Sequence, residues 1–102
     1  MSKKPPLQPQ QSRFVFMIAI LIIYAWFRGY RLTFGDAWAK DGHKKRSLHY
    51  IRLAVDFNLF IDNVWQENTE AHRPLGEFWE LMGGIWGGRH GDGNHYALKR
   101  LE

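Results

Sequence analysis

Cysteine is absent from the chain, which rules out both a disulfide and a thiolate zinc finger. Any metal site must therefore draw on histidine and carboxylate side chains. No internal repeat is visible, and no small-residue cleavage site follows the apolar run near the N-terminus. Acidic and basic residues nearly balance. The net charge is +4, and Lys3, Lys4 and Arg13 lie within the first 13 residues. That excess argues only weakly for a nucleic acid or an anionic surface as partner, and no nucleic acid is expected. What is abundant is apolar and aromatic surface: 45% hydrophobic residues, with five Trp, seven Phe and four Tyr. Such a chain folds, and 102 residues make one domain with a modest core.

Residues 1–12, MSKKPPLQPQQS, are rich in Pro, Gln and Lys and are expected to form a flexible leader. The domain proper then covers residues 13–102. Phe14–Phe27 carries no charge for 14 residues. As a helix it would span about 21 Å, short of the roughly 30 Å of bilayer hydrocarbon. It reads as a core helix with Ser12 as N-cap and Gly29 as its stop, and a signal-anchor is the competing reading. Arg31–Phe34 suggests a short strand. In Leu53–Phe60, Leu53, Val55, Phe57 and Leu59 alternate with Ala54, Asp56, Asn58 and Phe60, which predicts a strand with one apolar face. Asp62-Asn63 marks a turn, with Val64-Trp65 starting a return strand. Pro74 begins a short helix through about Met82. GGIWGG and GDG read as loops, and His95–Leu101 as a last strand. The fold class is α+β: a small single domain whose N-terminal helix packs on a short, mainly antiparallel sheet.

The strand residue Asp56 raises a chemical question, because a buried carboxylate is costly unless paired, protonated or bound to a metal. His49 stands seven residues before it. Far along the chain, Asp92 precedes His95 by three. Two imidazoles and one carboxylate would make a three-ligand zinc site with one position open to water. A further carboxylate could take the proton of that water. Spacing alone leaves other readings in place: His49 as a loop histidine, Asp56 as a satisfied buried carboxylate, Asp92-Gly93 as a hairpin turn. Trp65, Trp79 and Trp86 read as core before groove lining. His72 and Arg73 read as cap or surface residues, Glu77 and Glu80 as a solvated helix face, and His43 and His90 as loop histidines. The basic run Lys44-Lys45-Arg46 reads as a solvated loop.

SLHYIRLAVDF together with WGGRHGDGNHYAL resembles the M15 peptidases, zinc enzymes that cut peptidoglycan stem peptides. Ser47, His49, Ala54 and Asp56 match the first part of the family pattern, Ser-x-His-x-x-Gly-x-Ala-x-Asp. Asp92 and His95 match the second, an acid three residues before His. GYRLTFGDAWA and HRPLGEFWE resemble the small phage subgroup, so the likeness extends over residues 14–100. It implies Zn2+ held by His49, Asp56 and His95, with Asp92 as general base and Ser47 orienting a ligand or substrate. Two departures stand out. Arg52 replaces a frequent Gly, and Ala39 stands where many members carry an arginine that polarises the scissile carbonyl. Lys40 and Arg52 are the candidate substitutes. The resemblance implies an endolysin of a phage or prophage, and a monomer is expected. It would be made in the bacterial cytoplasm and act on the cell wall after release, with no stable membrane span. Its bond would be L-Ala–D-Glu or D-Ala–D-Ala. A binding module that has lost catalysis and a signal-anchored membrane protein are the rival readings.

Overall fold

The computed structural model describes residues 4–35 and 51–101. Helix α1 (Leu7–Phe27) opens the fold and is followed by strand β1 (Tyr30–Phe34). Strands β2 (Ala54–Ile61) and β3 (Val64–Gln66) form a hairpin. A 3-10 turn (Thr69–His72) then leads into helix α2 (Arg73–Leu81). Strand β4 (Ile85–Trp86), a second 3-10 turn (Gly87–His90) and strand β5 (His95–Ala97) complete the chain. The strands are antiparallel in the order β1-β2-β5-β4. β3 pairs with the far end of β2. The α+β class and the N-terminal helix are as the sequence suggested.

α1 begins at Leu7, not after Ser12, so half of the expected leader is helical. Pro6 is the N-cap and Pro9 sits in the first turn, where a missing N–H leaves no helical bond unmade. The early start is held from afar. Gln10 is buried, its Oε1 accepts from the Leu101 N–H at 2.8 Å, and Gln11 donates to the Ile51 carbonyl at 2.9 Å. The helix stops where expected: Arg28 is the C-cap and Gly29 takes the left-handed conformation at φ +81°.

One stripe of α1, comprising Phe14, Met17, Leu21 and Ala25, is buried. It joins Val55, Phe57 and Leu59 of β2, Leu75 and Trp79 of α2, and Trp86 and Tyr96 in a single core. Trp79 donates to the Ala97 carbonyl and Trp86 to the Gly93 carbonyl, both at 2.8 Å, so each indole is satisfied inside. The β2–β3 turn uses Asp62 and Asn63 at φ +53° and +64°, the two left-handed residues of a tight hairpin. α2 starts with Pro74 in its first turn, as predicted.

Further expectations fail. Ile85–Trp86, between glycine pairs, is a strand and not part of a loop. The last strand is three residues long, not seven. His72 is neither a cap nor a surface residue; it is 2% exposed.

Candidate active site

Alternation along β2 sends Val55, Phe57 and Leu59 into the core and Asp56 and Asn58 to the opposite face. β5 does the same in three residues. Tyr96 pairs with Val55 on the core side, and His95 pairs with Asp56 on the other. The result is an imidazole and a carboxylate directly opposed across two strands, although 39 residues separate them in the chain. His95 Nδ1 donates to Asp56 Oδ1 at 3.0 Å, and each side chain keeps roughly a fifth of its surface exposed (23% and 21%). The bond to Asp56 raises the His95 pKa above its ordinary value; burial opposes that, and the charges of Asp56 and Asp92 add to it.

Asp92 is exposed and sits on the loop between the second 3-10 turn and β5. The loop is firmly held. Asp92 N–H donates to the Gly87 carbonyl at 3.0 Å, and the Asp92 carbonyl accepts from the His95 N–H at 3.2 Å. Thr69 Oγ1 donates to the Gly91 carbonyl at 3.0 Å and accepts from Gly93 N–H at 3.2 Å. Gly87 passes beneath the pair so closely that a Cβ there would lie 2.5 Å from the Asp92 carbonyl oxygen and 2.8 Å from His95 Cβ. Only glycine fits.

β2 changes partner midway. Its first residues pair with β5 and its last with β3, and the Phe57 N–H bonds the Asn94 carbonyl at 2.9 Å between them. At this break lies a cleft of about 140 Å³. Its lining includes Phe57, Asn94 and Asp92, neighbours of the pair, and Trp65. Trp65 pairs with Phe60 and so stands on the Asp56 side of the sheet, 55% exposed. Of the three tryptophans expected in the core, Trp79 and Trp86 are buried and Trp65 is not. Sequence alternation about Phe60 was the available signal for its placement.

The cleft also touches His72, whose Nδ1 shares a 3.0 Å hydrogen bond with the buried Tyr96 hydroxyl. Burial lowers the His72 pKa to about 4 and pushes the Tyr96 phenol far up, so both are neutral. His90 is exposed at the end of its 3-10 turn. Glu77 and Glu80 are part of an ion-pair cluster on the α2 surface. Arg89 bonds Glu80 at 2.7 Å and reaches Glu77 at 4.0 Å, while Arg73 bonds Glu70 at 2.7 Å.

Of the remaining sequence candidates, Arg52 is exposed just before β2 at φ +57°. Lys40, Ser47 and His49 lie outside the described residues, as do Ala39, His43 and Lys44–Arg46. Among the described residues, no group of three His, Asp or Glu side chains converges. The two described donors nonetheless suit zinc: one imidazole and one carboxylate, on one sheet face, in contact and reachable from solvent. The third expected donor, His49, is the one not described.

A family model described as D-alanyl-D-alanine carboxypeptidase, of the M15 peptidases, matches residues 40–98. That is more than half of the chain, and it contains β2, β5 and the Asp92 loop. The chain belongs to the M15 peptidase family. The match is narrower than the 14–100 expected from the sequence motifs, and α1 lies wholly outside it. Comparisons with curated proteins and with solved structures gave no significant match. In this M15 peptidase the family segment thus supplies the strands that carry Asp56 and His95, while α1 supplies one wall of the core.

Proposed function

We propose that the protein is a zinc-dependent peptidoglycan peptidase that cuts the stem peptide, acting as a phage or prophage endolysin. The observation that carries this reading is the Asp56–His95 pair, opposed across β2 and β5 with the Asp92 loop beside it. His49, Asp56 and His95 would hold the metal. Zinc, when bound, supplies a Lewis acid for the scissile carbonyl.

The chain's own groups do the rest. Asp92, exposed on a fixed loop, takes a proton from the attacking water onto its carboxylate and returns it to the leaving amine nitrogen. The break between β5 and β3 receives the peptide, and Trp65 gives its flank an aromatic surface. Lys40 and Arg52 are the cations available to replace the arginine absent at position 39, and Ser47 orients a ligand or the substrate. The family description favours a D-Ala–D-Ala bond; the L-Ala–D-Glu bond is the alternative.

Mass spectrometry of muropeptides after digestion of purified peptidoglycan, with and without chelator, tests the proposal. Loss of terminal D-Ala, or scission after L-Ala, that chelator abolishes is the expected result. Asp92→Asn should keep zinc and fold while turnover falls roughly 10²–10⁴-fold, the range for a positioned acid–base group. Peptidoglycan binding without cleavage would replace this reading with that of a binding module. Retained cleavage in Asp92→Asn would remove Asp92 from its role.

A further inference from the structure

From Phe14 onward α1 is apolar around its whole circumference, and a helix of that kind needs apolar cover on every side. The described residues cover one stripe. On the remaining surface Val15 is 66% exposed, Phe16 65%, Ile23 57%, Trp26 58% and Phe27 84%. These side chains lie within the last 13 residues of α1, a helix long and apolar enough as a whole to match a bilayer in length and composition.

The charge carried by α1 and β1 themselves has one sign. Residues 4–35 contain Lys4, Arg13, Arg28 and Arg31 and no acid, and all ten Asp and Glu residues of the chain come later. At the far end, the Arg31 guanidinium lies 3.5 Å from the centre of the Trp26 ring, and Arg28 reaches the hydroxyls of Tyr24 and Tyr30, both at 3.4 Å. Arginine, Trp and Tyr around an apolar surface match the headgroup layer of a membrane, where rings and alkyl stems sit in the acyl boundary and charged ends meet phosphate.

We propose that the outer face of α1 docks on an anionic phospholipid bilayer, with the helix lying in the plane of the headgroups. The charges decide between lipid and a second copy of the chain. An isologous contact through α1 would bring this arginine-framed face against itself, with no acid in the segment to compensate. The core decides between lying and spanning. Phe14, Met17, Leu21 and Ala25 are built into the domain, and withdrawing α1 into a bilayer would strip cover from Trp79 and β2. The docking stands on α1 alone. Its consequence rests on the peptidase reading: the sheet separates α1 from Asp56 and His95, so a membrane-bound molecule presents its site away from lipid, toward the wall.

The test uses the full chain with vesicles of phosphatidylglycerol and phosphatidylethanolamine, and with vesicles of phosphatidylcholine. Flotation with the anionic vesicles, a blue shift of tryptophan emission and release by alkaline carbonate are expected. Arg28→Gln combined with Arg31→Gln should weaken binding about thirtyfold, since each basic residue near an anionic surface contributes. Phe16→Glu with Ile23→Glu, both at exposed positions, should abolish binding while circular dichroism and muropeptide cleavage stay unchanged. Absence of flotation, or flotation indifferent to both variants, overturns the proposal. Resistance to carbonate overturns the in-plane geometry. A dimer in ultracentrifugation that Phe16→Glu/Ile23→Glu dissolves, with no vesicle binding, assigns the face to a second copy.

Discussion

Gly87→Ala is the smallest change that bears on both halves of the candidate site. The added methyl would sit 2.5 Å from the Asp92 carbonyl oxygen and 2.8 Å from His95 Cβ. Ordinary contact lies near 3.5 Å, so the two neighbours must together yield about 1 Å. Neither is a flexible side-chain end. The Asp92 carbonyl is tied to the His95 N–H, and His95 is paired with Asp56 in the sheet. The strain should cost about 1–3 kcal/mol, as overpacking of a well-filled site does. The same displacement should cut turnover about 10²-fold, because a 1 Å misplacement of reacting groups has that effect. Thermal unfolding, zinc content and muropeptide cleavage per folded molecule would be measured on one preparation. Wild-type stability would show that the loop yields freely. Lost stability with undiminished turnover would show that the Asp92 loop does not set the reacting geometry.

His72 should make stability depend on pH. Its folded pKa, about 4, lies below the ordinary value of 6.5, so the native state binds fewer protons than the unfolded chain between them. Stability should be full above about pH 6.5 and fall toward pH 4 by up to about 3 kcal/mol. His72→Gln should flatten that part of the profile in urea titrations, and an unchanged slope would reject the assignment. Arg52→Gly should raise stability by about 0.5–1 kcal/mol in thermal melts, because a non-glycine residue at φ +57° is strained. If Arg52 also serves the substrate, turnover falls as stability rises; unchanged turnover would end that role. Trp65→Ala should raise KM several-fold with little change in kcat or melting temperature, and an unchanged KM would take the indole out of the cleft's function.

What could be read in the sequence was local. The alternation of Leu53–Phe60, the Asp62-Asn63 turn, Pro74 at the start of α2 and Gly29 at the end of α1 each act within a few residues. The pair at the site was legible for another reason: Asp56 and the Asp92–His95 spacing carry the motifs of the family. What escaped is set by partners far along the chain. Gln10 makes helix of an expected leader because Leu101, 91 residues away, bonds its amide. His72 is buried because the Tyr96 hydroxyl, 24 residues away, waits for it. Ile85–Trp86 is a strand because β5 pairs with it, and two residues between glycines carry no periodicity of their own.

β5 has only three residues, and adjacent positions point to opposite sides: His95 to the candidate site, Tyr96 to the core. A slip of one residue against β2 would exchange them, leaving an imidazole in the core and a phenol at the site. That error is punished on the core side, where Tyr96 loses His72 and the Ala97 carbonyl loses the Trp79 indole. The molecule therefore cannot close its interior around a misaligned candidate site. Folding inspects the register of Asp56 against His95 through the core, and a chain that passes inspection already has the pair opposed.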